Sequence, residues 1–121
     1  KTDKNFTVLH ALDGYDEISL TGNTKTISNK TESMLKPSDF GVNQIKQSDI
    51  VGGDSIEESA QIFLNVLQGK GTEPQNNVVC ANAGIAIATV EGLTPLERAK
   101  ESLLSGKGLV ALKKIQELSR N

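Results

Sequence analysis

The chain has little with which to build several common kinds of site. Cys80 is its one cysteine and His10 its one histidine in 121 residues. A single cysteine excludes a disulfide framework, and a single histidine excludes a His-based zinc cluster. Neither sign of charge is concentrated. The 13 basic and 15 acidic residues leave a formal charge of −2, with no dense basic run to neutralise phosphates, so nucleic acid is not an expected partner. No apolar run approaches the roughly 20 residues that span a bilayer, and no membrane association is expected. The opening KTDKNF lacks both the apolar core of a signal peptide and the Arg-rich face of a transit peptide, which points to a cytoplasmic protein. The glycosylation sequons at Asn5 and Asn29 are then chance matches.

What is present reads as strands first and helices after. FTVLHAL (6–12) is nearly continuous in apolar and β-favouring residues, the pattern of a strand buried on both faces in a parallel sheet. Asp13-Gly14 marks a turn. NTKTISNK (23–30) and TESMLKP (31–37) alternate weakly around Asn29-Lys30, which predicts an edge hairpin, more exposed than the first strand. PSDFG (37–41) ends it, and residues 41–53 form a loop. Gly52-Gly53 lacks the spacing of a nucleotide-binding glycine loop and reads as the lead-in to a helix.

Ser55 and Glu58 form a capping box. Ile56, Ala60, Phe63 and Leu67 then recur at helical spacing up to Gly69, a fitting residue just past the end. From Asn77 to Glu91, VVCANAGIAIATV is small or apolar on every side and predicts a helix buried all round. Within it Cys80 reads as a packing thiol rather than a reactive nucleophile, and Gly84 permits close backbone contact. Asn82 is expected to bond backbone groups across a packing interface, since a buried amide needs partners. Thr94 and Glu97 frame a second capping box, with Pro95 at the first helical position and an end at Ser105-Gly106. Leu109, Leu112, Ile115 and Leu118 place an apolar stripe on a last helix. One interior strand can neither satisfy its own ladder nor cover its own faces. Residues 1–121 therefore read as the carboxyl-terminal portion of one α/β domain, whose remaining strands come from outside this sequence or from another chain.

Asp16 and Glu17 follow the carboxyl end of the first strand, the place where open α/β sheets gather ligands. Adjacent carboxylates repel, at a cost that rises in a crevice unless a cation lies between them. Hard carboxylate oxygens suit Mg²⁺, which keeps several waters and is typically completed by substrate phosphates. The plainer alternative is a solvated surface turn. His10 reads as a hydrogen-bonded core or crevice-edge residue rather than a base or ligand, and Tyr15 as packing over the turn. Ser19, Thr21 and Thr24 either line the crevice or face solvent.

VLHALDGYDEISLTGNT resembles the pattern Val-Val-His-Gly-x-x-Gly-Leu-Asp-Glu-x-Ser of anthranilate phosphoribosyltransferases. The resemblance continues in PSDFG, in GGDSIEESAQIFLNVLQGKG (52–71), in NNVVCANAGIAIATVEG and in LERAKESLLSGKGLVALKKI, nearly the whole chain in order. It implies the carboxyl part of the nucleoside phosphorylase/phosphoribosyltransferase-type α/β domain, without the helical domain that precedes it in that family. It further implies transfer of phosphoribosyl from phosphoribosyl pyrophosphate to anthranilate, with release of pyrophosphate, in tryptophan synthesis. By the resemblance Asp16 and Glu17 hold Mg²⁺ against the pyrophosphate, and the intact parent is a homodimer. Ala11 and Tyr15 depart from the family's usual glycine and leucine. The family's phosphate loop and anthranilate-contacting residues have no counterpart here, so the isolated chain is expected to be inert. A same-fold relative with another acceptor, such as a pyrimidine nucleoside phosphorylase, and a non-catalytic binding module are the alternatives.

Overall fold

The computed structural model describes residues 3–92 and 96–120. Strands β1 (Thr7–Ala11), β2 (Thr24–Ser28) and β3 (Glu32–Leu35) form an antiparallel sheet in chain order, with Leu9 opposite Thr26 and Lys25 opposite Met34. Two single-turn helical segments, Pro37–Phe40 and Gln47–Asp49, interrupt the stretch that follows. Then come α1 (Ile56–Leu67), α2 (Glu73–Glu91), α3 (Leu96–Leu104) and α4 (Lys107–Ser119). The order of strands before helices agrees with the sequence reading. No single helix among the described residues is long and apolar enough to cross a membrane.

The expectation of a parallel strand buried on both faces is corrected. β1 pairs antiparallel with β2 on one edge, and among the described residues its other edge has no partner. Its side chains alternate in exposure, and Val8 and Leu12 are each 57 % exposed, because no layer of the described chain lies over them. The hairpin prediction holds for β3, but β2 is the central strand, and Thr24 and Thr26 are buried.

Local chemistry sets the helix ends. Ser55 Oγ accepts from Glu58 N at 3.1 Å, whereas the Glu58 carboxylate reaches past the cap to Asp54 N at 2.7 Å. At the far end Gly69 N donates to Val66 O and Lys70 N to Asn65 O, the paired bonds of a Schellman turn. Helix α2 starts four residues before the predicted Asn77. Thr72 caps it and exchanges side-chain bonds with Gln75, with a proline in the first turn, a capping box that the sequence reading passed over. The predicted Thr94–Pro95 start of α3 lies outside the described residues.

Helix α2 is the spine of the molecule, although it is not buried on all sides: Val79 and Val90 are exposed. Cys80 faces Val66, Ala99 and Leu103, joining α1, α2 and α3, and its neighbour Ala81 faces Ile18 and Leu20. Successive helical residues point about 100° apart, so small residues at 80 and 81 let two clusters pack on one helix. The expected stripe of α1 is corrected, since Ile56 and Phe63 are exposed while Val66 is buried. On α4, Leu109 and Leu112 are half-buried, but Ile115 and Leu118 are exposed, with no element of the described chain packed over that last turn.

Candidate functional site

The twelve residues from Leu12 to Asn23 leave β1 and return to β2 as a loop closed at its neck, where Leu12 N donates to Asn23 O at 2.9 Å. Such a compact loop with adjoining ends is stabilised by its own side chains. Its first half is a tight reversal. Gly14 N donates to Ala11 O and Ala11 N to Tyr15 O, each at 3.0 Å, and Gly14 takes φ +101°, which side-chain-bearing residues rarely adopt.

The Asp13 carboxylate spans the neck. It accepts from the Ser19 hydroxyl at 3.3 Å and from the Thr21 hydroxyl, while Ser19 Oγ also accepts from Thr21 N at 3.3 Å. Ser19 is 1 % exposed, so it needs these partners. Thr24 is as deeply buried, yet its hydroxyl has no partner among the described residues. The second half of the loop is driven inward. Ile18, Ser19 and Leu20 are consecutive and all buried, unlike the alternating residues of β1. Leu20 adopts φ +60°, an uncommon backbone state for a non-glycine residue. Its carbonyl accepts from Ile45 N at 3.0 Å, and Gln44 supports the neighbouring Thr21 carbonyl at 2.7 Å.

Asn82 of α2 holds the same segment from below. Its Oδ1 accepts from Ile18 N at 2.9 Å and its Nδ2 donates to Ile18 O at 2.8 Å, with a further bond to Val78 O at 2.9 Å. The expected bond between Asn82 and backbone across an interface is borne out, and its partner is the residue directly after the acidic pair.

Asp16 and Glu17 sit on the exposed side of this loop. Among the described residues neither joins an ion pair such as those of Lys25 with Glu32, Lys107 with Glu101 or Arg98 with Glu91. Among the described residues no group of three or more His, Cys, Asp or Glu side chains is arranged to hold a metal. The arrangement therefore offers two exposed carboxylates on a backbone fixed at both ends. That donor set does not suit a closed protein cage, but it fits a hydrated Mg²⁺ completed by waters and phosphates.

The other singled-out residues lie apart in role. His10 is exposed on β1 opposite Lys25, which corrects the reading of it as a core residue. Tyr15 is half-buried over the turn. Cys80 is buried in the helical cluster, and its thiol is pushed above the ordinary range by burial, partly opposed by the Lys100 ammonium. Gly52-Gly53 leads into α1 as expected. An apolar groove between the hairpin and α2, with Leu35, Phe40, Ile85 and Ala88 in its walls, contains none of the acidic-loop residues. The latch formed by Asp13 was missed in sequence; its signal was a carboxylate directly after a strand, followed within one loop by two hydroxyl residues.

Residues 2–109 match the family described as glycosyl transferase family, a/b domain. The chain is 70 % identical over 121 residues to the anthranilate phosphoribosyltransferase of Flavobacterium psychrophilum, an alignment covering 98 % of this chain and 37 % of that protein. It is 62 % identical over 123 residues to the protein of the same name from Christiangramia forsetii, covering 99 % and 37 %. The chain thus spans about 37 % of the length of these curated relatives. Among solved structures, the anthranilate phosphoribosyltransferase of Thermus thermophilus superposes with a TM-score of 0.84 at 24 % identity, over 97 % of this chain and 36 % of that one. The Saccharomyces cerevisiae enzyme, solved in complex with PRPP and Mg, gives 0.80 at 24 % identity, over 90 % and 32 %. These structural likenesses establish the shared fold.

Proposed function

Since the chain belongs to the glycosyl transferase family by its a/b domain, we propose that it is the carboxyl-terminal portion of an anthranilate phosphoribosyltransferase, in which Asp16 and Glu17 anchor Mg²⁺ at the pyrophosphate of phosphoribosyl pyrophosphate. The single observation that carries the site assignment is the loop itself. Two exposed like charges, without ion-pair partners among the described residues, stand on a loop whose neck is tied by Asp13 to the Ser19 and Thr21 hydroxyls and whose backbone is held at Ile18 by Asn82. A loop fixed in this way presents its carboxylates to a cation with little reorganisation. The acceptor is taken from the close relatives, and the homodimeric state of the parent from the family resemblance.

In the reaction, the bond between the ribose anomeric carbon and the pyrophosphate oxygen breaks, the anthranilate nitrogen bonds to that carbon and loses a proton, and pyrophosphate departs. When bound, Mg²⁺ supplies charge neutralisation and orientation at the leaving group. Asp16 and Glu17 hold that charge in place and neither donate nor abstract a proton. Asp13, Ser19 and Thr21 keep the loop neck closed, so the carboxylates need little reorganisation when the polyanion arrives. No nucleophile on this chain is required, and Cys80 is shut away from the loop.

The test is Mg²⁺-dependent loss of anthranilate fluorescence with phosphoribosyl pyrophosphate, in the complete polypeptide and in its Asp16→Ala/Glu17→Ala variant. Turnover that collapses in the variant is expected. An intact polypeptide that binds phosphoribosyl pyrophosphate without consuming anthranilate would overturn the acceptor assignment.

A further inference from the structure

We propose that Asn82 is a positioning residue for the acidic pair: its side-chain amide grips both backbone groups of Ile18 and thereby fixes where the Glu17 and Asp16 carboxylates present themselves to a divalent cation. The inference deepens the function proposed above and rests on that reading of Asp16 and Glu17.

The geometry is that of a strand partner supplied by a side chain. An amide carries an acceptor oxygen and two N–H donors in a plane, and Asn82 uses the oxygen and both donors: Oδ1 on Ile18 N, Nδ2 on Ile18 O and on Val78 O. The first two bonds fix the Ile18 peptide groups on either side of its Cα. The peptide donating through Ile18 N carries the Glu17 carbonyl, so its plane sets the backbone direction at Glu17. The third bond, to Val78 one turn earlier in α2, locks the amide against rotation. Ile18 itself is 1 % exposed and packs on Ala81, so the amide and the apolar contact act on the same residue from the same helix.

Among the described residues no other side chain bonds the backbone directly beside the pair. The bonds of Asp13 close the neck at Ser19 and Thr21, two and four residues beyond Glu17. The other side-chain tie from α2 to the sheet, Thr89 Oγ1 to Thr7 Oγ1 at 2.7 Å, lies at the opposite end of β1. These two ties therefore separate cation positioning from general attachment of α2. Partners that orient metal ligands are generally worth about 10- to 100-fold in metal affinity.

The experiment uses the complete polypeptide with Mn²⁺ and pyrophosphate as the probe, reading free Mn²⁺ by electron paramagnetic resonance. Asn82→Leu removes the amide at similar volume, and Asn82→Asp places an acceptor where Nδ2 donates. Both are expected to weaken Mn²⁺–pyrophosphate binding by about tenfold or more, with KM for phosphoribosyl pyrophosphate rising. Thr89→Val is expected to leave binding unchanged. Equal binding by wild type and a folded Asn82 variant overturns the inference, as does an equal loss in Thr89→Val. A wild type that binds no Mn²⁺–pyrophosphate instead overturns the underlying metal site. Should both Asn82 variants fail to fold, amide hydrogen exchange in the wild type decides. The Ile18 amide is expected to exchange far more slowly than that of Glu17, and similar rates at the two would overturn the role of Asn82.

Discussion

Gly52 and Gly53 are adjacent and chemically identical, yet replacing each with alanine is expected to give opposite results. A Cβ on Gly53 would lie 2.3 Å from the Glu58 Cβ, 2.7 Å from Ser59 N and 2.8 Å from Glu58 C. Two of these atoms are backbone of the first turns of α1, so no side-chain rotation relieves the overlap. The chain leading into the helix must move instead, taking with it the Asp54 N–Glu58 bond. Overpacking of this kind costs about 3 kcal/mol. In the complete polypeptide, at about 2 °C per kcal/mol for a larger protein, the melting temperature falls by about 6 °C. On Gly52 the added methyl would meet only the Ser59 hydroxyl, at 3.9 Å, an ordinary contact, and neither glycine has a positive φ. Gly52→Ala is therefore expected to stay within about 2 °C of wild type, with any small gain coming from a less flexible unfolded chain. Thermal unfolding followed by far-ultraviolet circular dichroism measures both. A Gly53→Ala variant that melts within about 2 °C of Gly52→Ala would refute the close approach at position 53.

Three further outcomes are expected. Asp16→Ala/Glu17→Ala should change folding stability by no more than about 0.5 kcal/mol, because both side chains are exposed and have no ion-pair partner among the described residues, while abolishing Mg²⁺-dependent turnover in the complete polypeptide; chemical denaturation and the fluorescence assay check the two halves. Leu103→Ala should cost about 2 to 4 kcal/mol, since Leu103 packs with Val66, Cys80 and Ala99, whereas Ile115→Ala on the exposed turn of α4 should cost less than about 0.5 kcal/mol in the same denaturation experiment. Burial raises the Cys80 pKa, so the folded state keeps its proton to higher pH than the unfolded state does. The resulting stability is fully present below the unfolded thiol's pKa and is lost as pH rises through the folded one. Cys80→Ala should therefore flatten part of the alkaline loss of stability, seen as a smaller difference between denaturation midpoints at neutral and alkaline pH.

Where local chemistry decides, the structure was legible in advance. The Ser55 cap, the turn at Asp13-Gly14, the hairpin about Asn29-Lys30 and the stop at Gly69 each rest on residues close in sequence, and each is found. The placement of the acidic pair after the first strand was readable for the same reason. Burial was less legible. FTVLHAL has the composition of an interior strand, but composition does not supply the layer that would cover Val8, and the described chain leaves it exposed. Ile56 and Phe63 stand at helical spacing with Val66, yet which side of α1 meets α2 and α3 depends on the packing of three helices.

The sequence by itself determined the element order, most of the caps and turns and the two adjacent carboxylates, because these depend on backbone preferences and side-chain chemistry acting over a few residues. Only the tertiary structure decided that Asn82 would meet Ile18 across 64 residues, that Leu20 would take a left-handed backbone among three consecutive buried residues, and that Gly53 but not Gly52 would lie too close to α1 for a side chain. Those outcomes arise where separate segments compete for the same space, and no local preference records which of them will arrive.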